Sequence, residues 1–276
     1  MVPGSATVRG GRVSLRAPYT IMLIGAHVDR GAVLEQARAT GAGVVQIFLS
    51  GPRTWAAPKL KGDETAIRES GLAVYVHAPY LLNPASLNPE VREKSRRCLV
   101  EQTQAAALVG AAGVVVHGGH PTGNGSVEDG IRGWVEVLEG LELPVPVLIE
   151  NTAGGAAAVA RRFDAFARLY ERLVGSGVEI GICLDTCHAH AGGEELGRAC
   201  EKLLAFAGRI DLVHANDSKD PFDSGRDRHA NFGSGMCGVE AVADVMVRAN
   251  CPAVVETPGG VEMMRGDIEK LRGCFT

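Results

Sequence analysis

Six short apolar runs in this chain each end on a residue that can bind a metal. They are VYVH ending at His77, VVVH at His117, VLIE at Glu150, ICLD at Asp185, DLVH at His214 and AVVE at Glu256. Short β-branched runs bounded by turn signals read as buried parallel strands. Such a strand favours Val, Ile or Leu to its end, and an unpaired charge there is costly. The six endings are 40, 33, 35, 29 and 42 residues apart, about one strand–helix unit each. Three histidines and three carboxylates therefore fall on one rim of one sheet.

The whole chain alternates in the same way. Strands read near residues 21–27, 44–49, 73–77, 113–117, 146–150, 180–185, 210–214 and 253–256. Helical stretches lie between them at 32–41, 89–113, 127–141, 163–177, 194–208, 238–250 and 263–273. The first closes on Gly41, a helix stop signal, and the second opens on Pro89. The alternation predicts an α/β protein, a single-domain TIM (β/α)8 barrel. A doubly wound open sheet is the alternative, but six strand ends converge on one point only if the sheet closes. Two loops are long: SGPRTWAAPKLKGD at 50–63 and NDSKDPFDSGRDRHANFGSGMCG at 216–238. Long loops in a compact barrel are usually functional, and both fall on the C-terminal rim, where barrel active sites lie.

Composition narrows the class of protein. Hydrophobic residues make up 46% and charged residues 22%, the balance of a soluble globular chain. No apolar run approaches the roughly 18 to 20 residues of a spanning helix, and no signal peptide is visible. A cytoplasmic setting with no membrane partner is expected. The seven cysteines are odd in number and form no CxxC pair, which fits a reduced compartment and argues against a thiolate zinc site. Residues 1–20 read as a flexible basic arm carrying Arg9, Arg12 and Arg16, and residues 21–276 as the barrel domain. Met22 directly precedes the first strand, so part of the arm could be an artefact of start-site choice. The net charge of −4, taken alone, argues against nucleic acid as a partner. Divalent ions gathered in one cleft would reverse that sign where it matters.

Three further ligand-type residues stand in the rim segments. His188 follows Asp185 by three residues in LDTCH, and Asp227 and His229 flank Arg228 in the long loop. Nine candidates result. A single zinc needs three or four ligands, so nine would serve three ions if one carboxylate bridges two of them. The mixture of nitrogen and oxygen donors suits zinc, with manganese or iron chemically possible. The plainer alternative for each residue alone is a hydrogen-bonded rim position. Asp185 with His188 also reads as a helix-capping loop, and Asp227-Arg228-His229 as a solvated turn. His27, His120 and His190 read as supporting or phosphate-facing residues rather than ligands. No Ser-His-Asp arrangement is apparent, and Cys187 reads as packing.

At these residues the chain resembles endonuclease IV, the family-2 apurinic/apyrimidinic (AP) endonucleases, and is most similar to actinobacterial members. The matching stretches are IGAHV (24–28), VHAPYLLNPAS (76–86), VVVHGGH (114–120), LIENTAG (148–154), CLDTCHAHAGG (183–193), LVHANDSKDPFDSGRDRHANFGSG (212–235) and VVETP (254–258). The resemblance implies a TIM barrel, which agrees with the independent reading above, and a trinuclear zinc site. One ion would take His77, His117 and a bridging Glu150. A second would take Glu150, Asp185, His214 and Glu256, and the third His188, Asp227 and His229. Arg53 matches an arginine that penetrates DNA, and Tyr80 an aromatic used at the lesion. The alternative for Tyr80 is a rim tyrosine packing on Pro79. Gly51-Pro52 stands where the family often carries a polar pair.

The implied partner is double-stranded DNA containing abasic sites, and the implied reaction is hydrolysis 5′ to the lesion. The products would be a 3′-hydroxyl and a 5′-deoxyribose phosphate, with 3′-repair phosphodiesterase activity alongside. Glu150 and Glu256 would be the catalytic carboxylates, with metal-activated water as the nucleophile. A monomer is expected, cytoplasmic and nucleoid-associated during repair. A xylose-isomerase-like sugar isomerase or epimerase is the rival, and a catalytically dead DNA-binding barrel the other.

Overall fold

The structure, a computed structural model, describes residues 22–276; the basic arm expected at 1–20 lies outside the described residues. Along the chain the elements begin with β1 (Ile24–His27), α1 (Val33–Thr40), β2 (Val44–Phe48), α2 (Glu64–Arg68), β3 (Ala73–His77) and α3 (Pro89–Leu108). Then come β4 (Val114–His117), α4 (Val127–Leu138), β5 (Val147–Glu150), α5 (Phe163–Leu173), β6 (Ile180–Asp185), α6 (Thr186–Gly192) and α7 (Leu196–Ala207). The last are β7 (Leu212–His214), β8 (Asp217–Ser218), β9 (His229–Ala230), α8 (Val239–Ala249), β10 (Ala253–Val255) and α9 (Gly260–Gly273). Eight strands pair in the order β1-β10-β7-β6-β5-β4-β3-β2 and close on themselves. Every pairing around the ring is parallel. This is a TIM barrel in a single domain.

Strand alternation explains why each apolar run ends on a polar residue. Successive side chains of a strand point to opposite faces. One parity, Val44, Tyr75, Val115, Leu148, Cys183, Leu212 and Val254, forms a compact buried cluster inside the ring. The other parity, including Ile47, Val76, Val116, Ile149, Leu184, Val213 and Val255, joins the larger core between strands and helices. Two residues beyond each member of the inner cluster, the side chain returns to the inside. Those positions are Gln46, His77, His117, Glu150, Asp185, His214 and Glu256. The polar layer thus sits directly above an apolar floor, at the C-terminal mouth of the barrel.

Four details differ from the expected element pattern. Glu64–Arg68 forms a short helix after the first long loop, and Thr186–Gly192 forms another, so His188 lies on a helix rather than in a loop. The second long loop contains the small antiparallel ladder β8–β9, so His229 opens a strand instead of a solvated turn. Strand β10 ends at Val255, which leaves Glu256 just past it.

Side chains cap the starts of α3 and α4. Asn88 accepts from the Glu90 amide ahead of α3, and Ser126 with Asp129 forms a reciprocal capping box on α4. Inside α4, fully buried Trp134 donates its indole N–H to the carbonyl of Gly118 at 2.7 Å. Gly118 directly follows His117, so this bond fixes the chain where it leaves β4. Replacing Trp134 with Phe keeps most of the volume but leaves a buried carbonyl without its donor. The expected loss is about 1–3 kcal/mol in urea unfolding of the metal-free protein. A loss below about 0.5 kcal/mol would show that this bond does not hold the segment.

A candidate metal centre at the barrel mouth

All nine ligand-type residues singled out from the sequence meet at the mouth. Their donor atoms form three groups, each with its atoms within 4.8 Å of one another: His77, His117, Glu150; Glu150, Asp185, His214, Glu256; and His188, Asp227, His229. Glu150 belongs to two of them. It is fully buried. One of its oxygens lies 3.3 Å from Nε2 of both His77 and His117, and the other 3.1 Å from Nδ1 of both His188 and His214.

The local fold aims each side chain. Asp185 ends β6 and caps α6, accepting from the His188 amide at 2.6 Å. This helix turn carries His188 back over the mouth. Asn151 holds the backbone of Asp185 from both sides, donating to its carbonyl and accepting from its amide. Asn216 donates to Asp185 Oδ2 at 2.7 Å and accepts from the Glu256 amide at 2.8 Å. The long loop is pinned at both ends of its reach. Arg228 forks onto Asp220, and Asp267 of α9 accepts from Asn231 and the Phe232 amide. Asp227 and His229 are thereby delivered to the side of His188.

Backbone carbonyls decide which imidazole nitrogen faces inward. Nδ1 of His77 donates to the Ala78 carbonyl at 2.7 Å, and Nδ1 of His188 to that of Asn151 at 3.0 Å. Nδ1 of His229 lies 3.3 Å from the Glu256 carbonyl. In each case Nε2 is left for the site.

The electrostatics are those of a cation site. Burial pushes the Glu150 carboxyl up, but His214, His117 and His188 outweigh it and hold the group well below the usual carboxylate range. Burial works against a proton on His188, yet Asp185, Asp227 and Glu150 raise its pKa well above the ordinary value. His214 is raised in the same way, with Cys183, Glu256 and Glu150 opposing burial. Burial also disfavours ionised Asp227, but His188 and His229 bring it down to about 2. Raised His188 and His214 favour positive charge beside Glu150 and Asp227, whose carboxyls favour the ionised form.

The donors fit a divalent ion. Nitrogen and oxygen ligands suit zinc and its borderline neighbours. Nε2 of His188 and Nε2 of His229 are buried without a hydrogen-bond partner, although Asp227 Oδ1 lies 3.1 and 3.4 Å away. An ion among these three residues would satisfy both nitrogens. Cys183 and Cys187 also bring sulfur to the clusters. Burial pushes both thiols up to about 12, so they stay protonated and are poor ligands.

Arg53 and Tyr80 flank a cavity of about 580 Å³ beside the cluster, which His229, Glu256 and Lys219 also line. Tyr80 is 48% exposed and stacks on His117, with ring centroids 5.6 Å apart. Its amide donates to the Pro52 carbonyl, tying the first long loop to it. Of the three remaining histidines, His27 touches Glu256 at 3.2 Å. His190 is spent on the Asp220 carbonyl, supporting the loop, and His120 is exposed. Gln46, Asn151 and Asn216 are site residues that sequence reasoning missed. An amide inside or just after a strand-end motif is the signal that could have found them.

A closed parallel barrel with this cluster at its mouth belongs to a known class. Residues 34–274 match the family described as the xylose isomerase-like TIM barrel. Within that class the chain belongs to the endonuclease IV family of enzymes. It is 49% identical over 251 residues to the probable endonuclease 4 of Mycobacterium leprae, covering 91% of this chain and 98% of the relative. The endonuclease IV structure from Thermus thermophilus superposes with a TM-score of 0.77 at 31% identity, covering 92% of this chain and 98% of that one. A D-tagatose 3-epimerase-like protein superposes with a TM-score of 0.73 at 18% identity, covering 92% and 97%, and shares the fold alone.

Bound metal must displace the protons from His188 and His214, so retention depends on pH. Because both pKa values are raised, proton competition begins above the range of an ordinary histidine and strengthens as pH falls. Dialysis of metal-loaded protein between pH 8 and pH 5, with metal per chain measured by atomic emission, is expected to show progressive loss. Retention unchanged down to pH 5 would contradict the role of these imidazoles.

Proposed function

We propose that this protein is a zinc-dependent AP endonuclease of base-excision repair. It cuts the phosphodiester 5′ to an abasic site and leaves a 3′-hydroxyl and a 5′-deoxyribose phosphate. The single observation that carries this reading is the grouping of nine ligand-type residues into three neighbouring clusters, two of which share Glu150. The 49% identity to a probable endonuclease 4 supports it.

His77, His117 and Glu150 would hold one ion; Glu150, Asp185, His214 and Glu256 a second; His188, Asp227 and His229 a third. Zinc so held would supply Lewis acidity toward the phosphate and lower the pKa of the attacking water. Glu256 borders the cavity and would orient that water or take its proton. Arg53 and Tyr80 would fill the gap left by the missing base. An abasic nucleotide has little stacking to lose, so its extrusion is cheap. Bending of the duplex around such wedges supplies discrimination without base readout. Exposed Lys219 adds positive charge where a phosphate would lie.

Manganese or iron in part of the sites, 3′-repair phosphodiesterase activity, action as a monomer, and cytoplasmic, nucleoid-associated repair belong to the same proposal. Among the described residues no helix is long and apolar enough to cross a membrane. A sugar isomerase or epimerase reading leaves the His188, Asp227, His229 group without a use.

The test is a duplex carrying one tetrahydrofuran abasic analogue, which cannot undergo β-elimination. Metal-analysed protein is expected to cut it 5′ to the analogue, to lose activity in EDTA and to regain it with zinc. No cut by fully loaded protein would overturn the proposal. Glu150→Gln is expected to abolish cutting while leaving DNA affinity within about tenfold, roughly 1.4 kcal/mol, in a binding titration. Full activity in that variant would remove Glu150 from its bridging role.

A further inference from the structure

Gln46 lies in the middle of β2, in the apolar run VVQIF, and is fully buried. A lone amide in such a strand needs partners for all its polar atoms. Its Nε2 lies 2.7 Å from Glu256 Oε1 and 3.0 Å from His27 Nδ1, and its Oε1 lies 2.8 Å from His214 Nε2. The direction of the amide follows from charge. An oxygen placed 2.7 Å from a carboxylate oxygen would be repelled, so the NH2 end faces Glu256. The carbonyl end then faces His214, which must carry a hydrogen on Nε2 to meet it. Nδ1 of His214 is thereby turned toward Glu150 Oε1 at 3.1 Å, Glu256 Oε2 at 3.2 Å and Asp185 Oδ2 at 3.8 Å.

We propose that Gln46 is a positioning residue that fixes the tautomer of His214 and the orientation of Glu256. It sets the affinity for the ion held by Glu150, Asp185, His214 and Glu256, and in this it rests on the metal reading above. His77, His188 and His229 use backbone carbonyls for the same purpose. His214 differs in using a side chain, so one substitution can undo its arrangement. The two N–H groups of Gln46 meet Glu256 and His27. The first holds Oε1 of Glu256 away from the cluster and leaves Oε2 facing His214. The second lies 3.0 Å from His27 Nδ1, which itself lies 3.2 Å from Glu256 Oε1.

Gln46→Met keeps length and volume but removes both the acceptor and the donors. Gln46→Glu keeps the acceptor for His214 but replaces the donor with an oxygen that Glu256 repels. Zinc-loaded proteins are titrated with a competing chelator while zinc per chain is counted, and histidine 15N shifts report which ring nitrogen is coordinated. The wild type is expected to hold three ions with His214 coordinated through Nδ1. Gln46→Met is expected to lose one of them about 10- to 100-fold more readily and to lose the Nδ1 signature. Gln46→Glu is expected to keep the Nδ1 signature of His214 while holding that ion less tightly. Far-UV circular dichroism of the metal-free variants checks the fold, and Gln46→Leu gives the same comparison if the thioether does not pack. Wild-type retention and an unchanged His214 signature in Gln46→Met would overturn the proposal, as would loss of the His214 signature in Gln46→Glu. A wild type that binds no zinc would overturn the metal reading itself, and this inference with it.

Discussion

Glu150 is the carboxylate on which the rest of the mouth depends. It is buried with both oxygens facing imidazoles of four different histidines. A carboxylate without water survives only if cations or strong donors surround it. The histidines at the ends of β3, β4 and β7, with His188 on α6, meet that need as a group. Asp185, Asp227 and Glu256 add further negative charge at the same place. So much opposite charge in a dry space is poorly explained by fold stability alone, since apolar residues would fill the barrel at less cost. It is well explained by a cation-binding role.

The barrel makes this concentration possible through strand alternation. An apolar layer seals the interior, and the next inward-facing position on seven strands or their ends is polar. The site is therefore built largely on strand ends, with Asp227 and His229 supplied by the long segment after β7. That loop is not left free. Asp267, Asp220 and His190 tie it down, and its contribution is an imidazole and a carboxylate beside His188.

A surrounding set of hydrogen bonds orients six of the nine ligand-type residues. Backbone carbonyls serve three histidines, and the amides Asn151, Asn216 and Gln46 serve Asp185, Glu256 and His214. These partners have no charge to announce them, yet they decide which atoms face the centre of the cluster. Preorganisation of this kind normally accompanies metal sites.

The sequence by itself determined the barrel, the rim and the nine residues gathered there, because the period of a strand and the length of a strand–helix unit are written in local order. A polar ending repeated at that interval has one geometric consequence once the sheet closes. The β8–β9 ladder and the place of Glu256 beyond β10 were not legible in this way. Each depends on contacts with distant segments rather than on local pattern. Gln46 is the clearest case. In the sequence it is one amide in an apolar run, 168 residues from His214 and 210 from Glu256. Only closure of the ring brings β2, β7 and the end of β10 around one mouth. Hydrogen bonding is short-ranged and directional, so the partners of Gln46 exist only once that closure has occurred.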